Sequence, residues 1–192
     1  MPESVHSSLA GASDEELASR VRSGDVDAFS VLVQRHEDRI FGLAIRIVGR
    51  REEARDVAQE VLLGFWQDPG AWKPSAKFTT WLYRVTSNRA ISHLRMRSIK
   101  RLLSFSDHDP SDTAEDPSPP PDEAVESADR ELAVQAEVKR LPARQIAAVH
   151  LRYQEGLSVA EVAESLGVSL KSAESLLFRA RETLRQRLLQ YK

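Results

Sequence analysis

The sequence predicts an all-α protein made of two small helical domains joined by an acidic, proline-rich linker. Three observations predict this class. No stretch alternates apolar and polar residues with a two-residue period between hairpin turns, the pattern of half-buried strands. Serine-to-glutamate capping patterns and glycine stops punctuate both ends of the chain. Five of the nine prolines fall between Asp107 and Asp122, in a stretch almost free of apolar residues. Such a stretch buries too little apolar surface to offset the entropy of ordering it. The expected layout is a flexible tail over 1–12, a first domain over 13–103, a linker over 104–122 and a second domain over 123–192.

In the first domain, Ser13 with Glu16 forms a capping-box pattern that opens a helix, and Gly24 marks its end. A second helix starts near Asp27 and runs through Val48 to Gly49. A third spans Glu52–Gln67. Its apolar residues Ala54, Val57, Ala58, Val61, Leu62 and Phe65 form one stripe at helical spacing. Asp68-Pro69-Gly70 breaks it. After a loop, a fourth helix runs from Thr79 or Thr80 to about Leu103. Its basic and apolar residues share faces, so periodicity alone assigns it no binding side.

In the second domain, Leu141-Pro142 places a proline in the first turn of a helix that Gly156 ends. Ser158 with Glu161 caps a short helix carrying Val159, Val162, Ala163 and Leu166. Gly167 and Val168 make the turn, and Ser169 caps the last helix. That helix is expected to bury Ala173, Leu177, Ala180, Leu184 and Leu188. Two helices joined by a short glycine-containing turn form the helix-turn-helix pattern, whose second helix enters the major groove by its N-terminal residues. Lys171, Ser172, Glu174, Ser175 and Arg179 are the candidate contacts: short serines permit close approach and the cations suit phosphate or base edges.

Net charge is −2, but it is unevenly spread. Asp107–Glu131 contains ten acidic residues and one basic, leaving 26 basic and 19 acidic residues elsewhere. From Pro69 to Ser106 there are eight basic residues and no acidic one. That asymmetry suggests a polyanion partner. With no cysteine there is no disulfide, thiolate metal site or cysteine nucleophile, which fits a reducing cytoplasm. No apolar run is long enough to span a bilayer, and Met1–Gly11 lacks the features of a secretory signal. The five histidines show no metal-ligand spacing, and no phosphate loop or catalytic constellation stands out, so no cofactor, metal or enzymatic activity is expected.

Two further features carry function. Asp56, Gln59 and Glu60 share one face of the third helix, away from its apolar stripe; alone, they read as a solvated surface. Phe78, Trp81, Arg84, Asn88, Arg89 and Arg95 interleave aromatic and basic residues, the combination that single-stranded or melting DNA requires. Trp81 is read equally well as core.

The runs Glu53–Val61, Phe65-Trp66, Phe78–Val85 and Asn88-Arg89-Ala90 resemble region two of extracytoplasmic-function sigma factors. Leu141-Pro142, Leu151-Arg152-Tyr153, Glu155–Ser158, Glu161-Val162-Ala163, Leu166–Ser169 and Phe178–Arg181 resemble region four. The resemblance implies a promoter-specificity subunit of RNA polymerase with two DNA-reading domains. Asp56, Gln59 and Glu60 would dock on the clamp coiled coil of the β′ subunit, with further contacts to the β subunit. Phe78, Trp81, Arg84, Asn88, Arg89 and Arg95 would recognise and open the −10 element. Lys171, Ser172, Glu174, Ser175 and Arg179 would read the −35 element. The linker would thread toward the polymerase cleft, and an anti-sigma factor would hold the protein inactive. Ala173, Leu176 and Ser92 depart from the residues common at their positions, which leaves individual base contacts open. A stand-alone helix-turn-helix regulator with a sensing or dimerising first domain is the alternative reading.

Overall fold

A computed structural model describes residues 9, 11–103 and 134–189. All regular structure among them is helical. The linker expected over 104–122 lies outside the described residues, as does nearly all of the expected tail.

Helix α1, Asp14–Val21, begins at a complete capping box: Ser13 accepts from the Glu16 amide, and the Glu16 carboxylate accepts from the Ser13 amide at 2.8 Å. Helix α2, Val26–Val48, is capped by Asp25 rather than starting beyond it. It ends at Gly49, whose φ of 78° lies in the left-handed region that a side chain disfavours. Helix α3 spans Arg51–Gln67 and buries the predicted stripe through Ala54, Val57, Ala58, Val61 and Phe65. Leu62 is only partly buried.

Asp14 fastens α1 to α2, accepting from Arg35 at 2.8 Å and lying 2.7 Å from the buried His36 imidazole. A single 3-10 turn, Pro69–Ala71, follows α3. Trp72 next to it is fully buried, and its indole N–H donates to the Ala76 carbonyl at 3.0 Å. That contact fixes the loop leading to helix α4, Phe78–Leu103. The start at Phe78 precedes the expected one because Glu15 of α1 accepts from the Phe78 amide at 3.0 Å. A carboxylate supplied by another helix there satisfies one of the orphan amides of the first turn.

Helical residues 134–139 lead to helix α5, Ala143–Tyr153. Buried Glu137 in the first of these accepts from Arg140 at 2.6 Å and from Arg187 at 3.3 Å. Pro142 stands as the N-cap of α5 rather than inside its first turn. Helix α6, Val159–Leu166, has the predicted Ser158–Glu161 box, and helix α7, Leu170–Leu188, has the predicted Ser169 cap. Ala173, Leu177 and Ala180 of α7 are buried; Leu184 is partly buried against the core.

The sequence left the relative placement of the two halves open. Here they pack together, α5 against α2 and α6 against α4.

Candidate nucleic-acid interface

The acidic face of α3 is as predicted: Asp56, Gln59 and Glu60 are all exposed. Their side opposite the core follows from the apolar stripe, which pins α3 against α2 and α4. Glu60 lies 3.2 Å from Arg89 of α4, so the acidic face borders the basic helix. Glu53, about two turns earlier, accepts from Arg97 at 3.3 Å and lies 3.5 Å from the His93 imidazole. Carboxylates on α3 thus set the rotation of α4. Beside this face, Phe29, Phe41, Leu62 and Leu63 line a shallow apolar groove edged by Arg51, Arg55 and Gln59.

The six residues expected to contact −10 DNA divide. Arg84, Asn88, Arg89 and Arg95 are exposed along α4. Trp81 is half-buried, stacking with Phe78 at 5.7 Å between centroids. Phe78 is 2% exposed and sits among Phe65, Trp72 and His36. Its ring belongs to the core that anchors the loop, so in this conformation it offers no surface to a base. The sequence pattern placed it outside because aromatics next to lysines and arginines look alike in either role.

On α7, Lys171, Ser172, Glu174 and Arg179 are exposed and Ser175 is half-exposed. Ser175 donates to the Lys171 carbonyl at 2.9 Å, and Arg179 Nε donates to the Ser175 carbonyl at 3.2 Å. The Arg179 guanidinium is therefore laid along the helix with its remaining N–H groups facing outward. Ala173 is fully buried and offers no surface to a base; Leu176 packs partly against the core and partly lines the groove beside Lys171 and Arg179.

One surface residue, Arg144, was missed, and Phe178 was placed on the outer face of the last helix without being given a role. Arg144, in the first turn of α5, joins Lys171 and Arg179 around a groove beside the N-terminal end of α7. A cation in a first turn opposes the helix dipole, a local cost that hints at an anionic partner. Phe178 is 62% exposed and lies with Glu174, Ser175 and Arg179. A large apolar side chain on a polar helix face suits a thymine methyl. Its place on the wheel, opposite the buried stripe, was the signal.

No helix among the described residues is long and apolar enough to cross a membrane.

Comparison with known proteins gives a consistent result. Residues 32–99 match Sigma-70 region 2, and residues 131–184 match Sigma-70, region 4. The RNA polymerase sigma-H factor of Pseudomonas aeruginosa is 32% identical over 182 residues, covering 89% of this chain and 91% of that protein. The ECF RNA polymerase sigma factor SigW of Bacillus subtilis is 29% identical over 180 residues, covering 88% and 93%. Among solved structures, CnrH in complex with the cytosolic domain of CnrY has a TM-score of 0.65 and 25% identity, covering 94% of this chain and 99% of that one.

Proposed function

The chain belongs to the extracytoplasmic-function sigma factors of RNA polymerase, and from that membership we propose how its surfaces divide the work. It is a promoter-specificity subunit that brings core polymerase to −10 and −35 elements. It acts as a DNA-binding regulatory subunit with no catalytic centre of its own, in the cytoplasm with the polymerase. An anti-sigma factor controls it, a reading in keeping with the partner-bound state of the similar CnrH structure.

Asp56, Gln59 and Glu60 dock on a basic stretch of the β′ clamp coiled coil, the neighbouring apolar groove adding buried area. Trp81, Arg84, Asn88, Arg89 and Arg95 hold the opened −10 strand: guanidinium groups neutralise phosphates while the indole stacks a base. Phe78 supports Trp81 from below. Lys171, Ser172, Glu174, Ser175 and Arg179 read the −35 duplex in the major groove, with Arg144 on the flanking phosphates. The unit 13–103 serves polymerase and −10 element, and 123–192 serves the −35 element. One observation carries this reading: an exposed, N-capped α7 with cations and short side chains at its outer N-terminal turns, paired with a helix α4 that exposes Arg84, Arg89, Arg95 and Lys100 and no acidic side chain.

Run-off transcription with core polymerase over a promoter library tests it. Initiation at discrete promoters only when the chain is added is expected. Initiation no better than core polymerase alone would reject the reading.

A further inference from the structure

We propose that this protein closes on itself through an acidic clasp: Glu155 and Glu161 of the C-terminal domain hold Tyr83 and Lys77 and bring the helix-turn-helix turn against Arg84, crowding the N-terminal end of the −10 face while leaving Asn88, Arg89, Arg95 and the −35 helix open. The contacts stand on geometry; their consequence rests on the −10 assignment given under Proposed function.

Two carboxylates make the clasp. Glu155, in the turn after α5, accepts from the Tyr83 hydroxyl of α4 at 2.5 Å and lies 3.9 Å from Arg39 Nε of α2. Glu161, in the first turn of α6, accepts from Lys77 Nζ at 2.8 Å, just before α4. Between them, the Arg84 guanidinium lies over the helix-turn-helix turn. A Cβ added at Gly167 would meet Arg84 Nε at 3.4 Å. That is an ordinary van der Waals distance; the positive φ of 62° is what favours glycine there.

The apposed helix faces agree. Lys77, Tyr83, Arg84 and Ser87 fall on one side of α4 by helical spacing, and Glu161 and Ser165 share one side of α6 at i, i+4. Ser165 points away from the stripe that α6 buries within its own domain, yet it is fully buried, as is Ser87. The neighbouring domain must cover it. The hydroxyls of Ser87 and Ser165 find no hydrogen-bond partner among the described residues. The α4–α6 seam therefore carries ion pairs and small buried polar side chains beside the apolar core that runs through both halves.

The clasp places carboxylates against Lys77 and beside Arg84, where a strand's phosphates would otherwise lie. The exposed Lys171, Ser172, Glu174 and Arg179 of α7 are outside it. Closure therefore discriminates between the two DNA surfaces.

The chain has no cysteine, so cysteines introduced at exposed Ser19 and Gln186 take a donor–acceptor dye pair without ambiguity. The clasp is opened by Arg39→Glu, a reversal at a side chain 58% exposed and outside the proposed DNA and polymerase surfaces. Glu155→Ala opens it a second way, and Arg39→Glu with Glu155→Arg re-forms the pair. Energy transfer is expected to be high in the parent, to fall in both single variants with helix content unchanged, and to recover in the swap. Affinity for a −10 non-template oligonucleotide, measured without polymerase, is expected to rise about fivefold or more on opening, the range of an ordinary coupling between two states. Affinity for a −35 duplex is expected to stay within about twofold, too small a change for such a coupling. Transfer unchanged in both single variants would overturn the clasp. Transfer that falls with no gain in strand binding would instead overturn the −10 assignment and with it the occlusion.

Discussion

Helices α4 and α7 carry the two proposed DNA surfaces, yet α7 packs along one stripe while α4 is crowded by five neighbours and keeps only a strip of exposed residues. Among the described elements helix α7 packs chiefly on α5 and α6, with Arg187 reaching Glu137, so its buried stripe and polar face separate cleanly. Helix α4 packs on α1, α2, α3, α5 and α6. Its residues are buried on several sides, and every charged side chain it exposes among the described residues is basic. A helix that meets its neighbours along one stripe writes its orientation into its sequence; a helix packed on five does not. The same crowding makes α4 the element whose accessibility is adjustable.

The largest effect expected from this contrast is on stability. Phe78→Ala removes a ring from the cluster of Phe65, Trp72 and Trp81 and should cost about 3–5 kcal/mol in urea unfolding. Its α7 counterpart in the proposed DNA set, Ser172→Ala, lies at the surface and should cost well under that, within about 1 kcal/mol. Equal costs would break the contrast.

A second difference concerns salt. Arg179→Ala should weaken −35 duplex binding about tenfold and reduce the salt slope by about one phosphate. Titrating the duplex at several salt concentrations checks it. Arg144→Ala should reduce the slope likewise without altering base preference.

Next in size is the cap of α6. Ser158→Ala removes the acceptor for the Glu161 amide and should cost about 1 kcal/mol by thermal or urea unfolding. It also frees Glu161 from one of the groups that orient it toward Lys77.

The smallest expected effects are those of pH. Hydrogen bonding to Lys77, then to Ser158, holds the Glu161 carboxyl down at about 2 from its usual 4.5. A depressed carboxyl stabilises the folded, clasped form above its ordinary pKa, and that contribution is lost as pH falls from 4.5 toward 2. Dye-pair transfer should therefore hold at neutral pH and decline in acid. Burial, followed by Arg46 of α2, pushes the His150 imidazole below 6.5, against an opposing pull from Glu155. Its contribution is likewise present above 6.5 and lost as pH falls below it. Since Arg46 belongs to the other half, His150 in Arg39→Glu should titrate at higher pH than in the parent, read by imidazole NMR.

Much of the fold was legible because its signals are local. Both capping boxes, the Gly49 stop and the Gly167 turn depend on residues within four positions of each other. What failed to show was tertiary. The α4 start depends on Glu15, 63 residues away. Phe78 was assigned outward because the residues that bury it, His36, Phe65 and Trp72, lie on other elements. Arg144 was missed because only folding brings the start of α5 beside α7. The clasp was missed because Glu155 and Glu161 appear in the sequence only as a turn residue and a cap. Of the site, the exposed cations of α7 and the acidic face of α3 are where spacing placed them, each helix having a single dominant buried stripe.

The most direct test separates the two helices on one promoter bound to polymerase. Asn88→Ala with Arg89→Ala should reduce permanganate reactivity of −10 thymines while leaving the −35 footprint in place. Lys171→Ala with Arg179→Ala should erase the −35 footprint and leave residual opening wherever polymerase still reaches the −10 element. Loss of both signals together in each variant, or of neither in either, would contradict a division of promoter reading between α4 and α7.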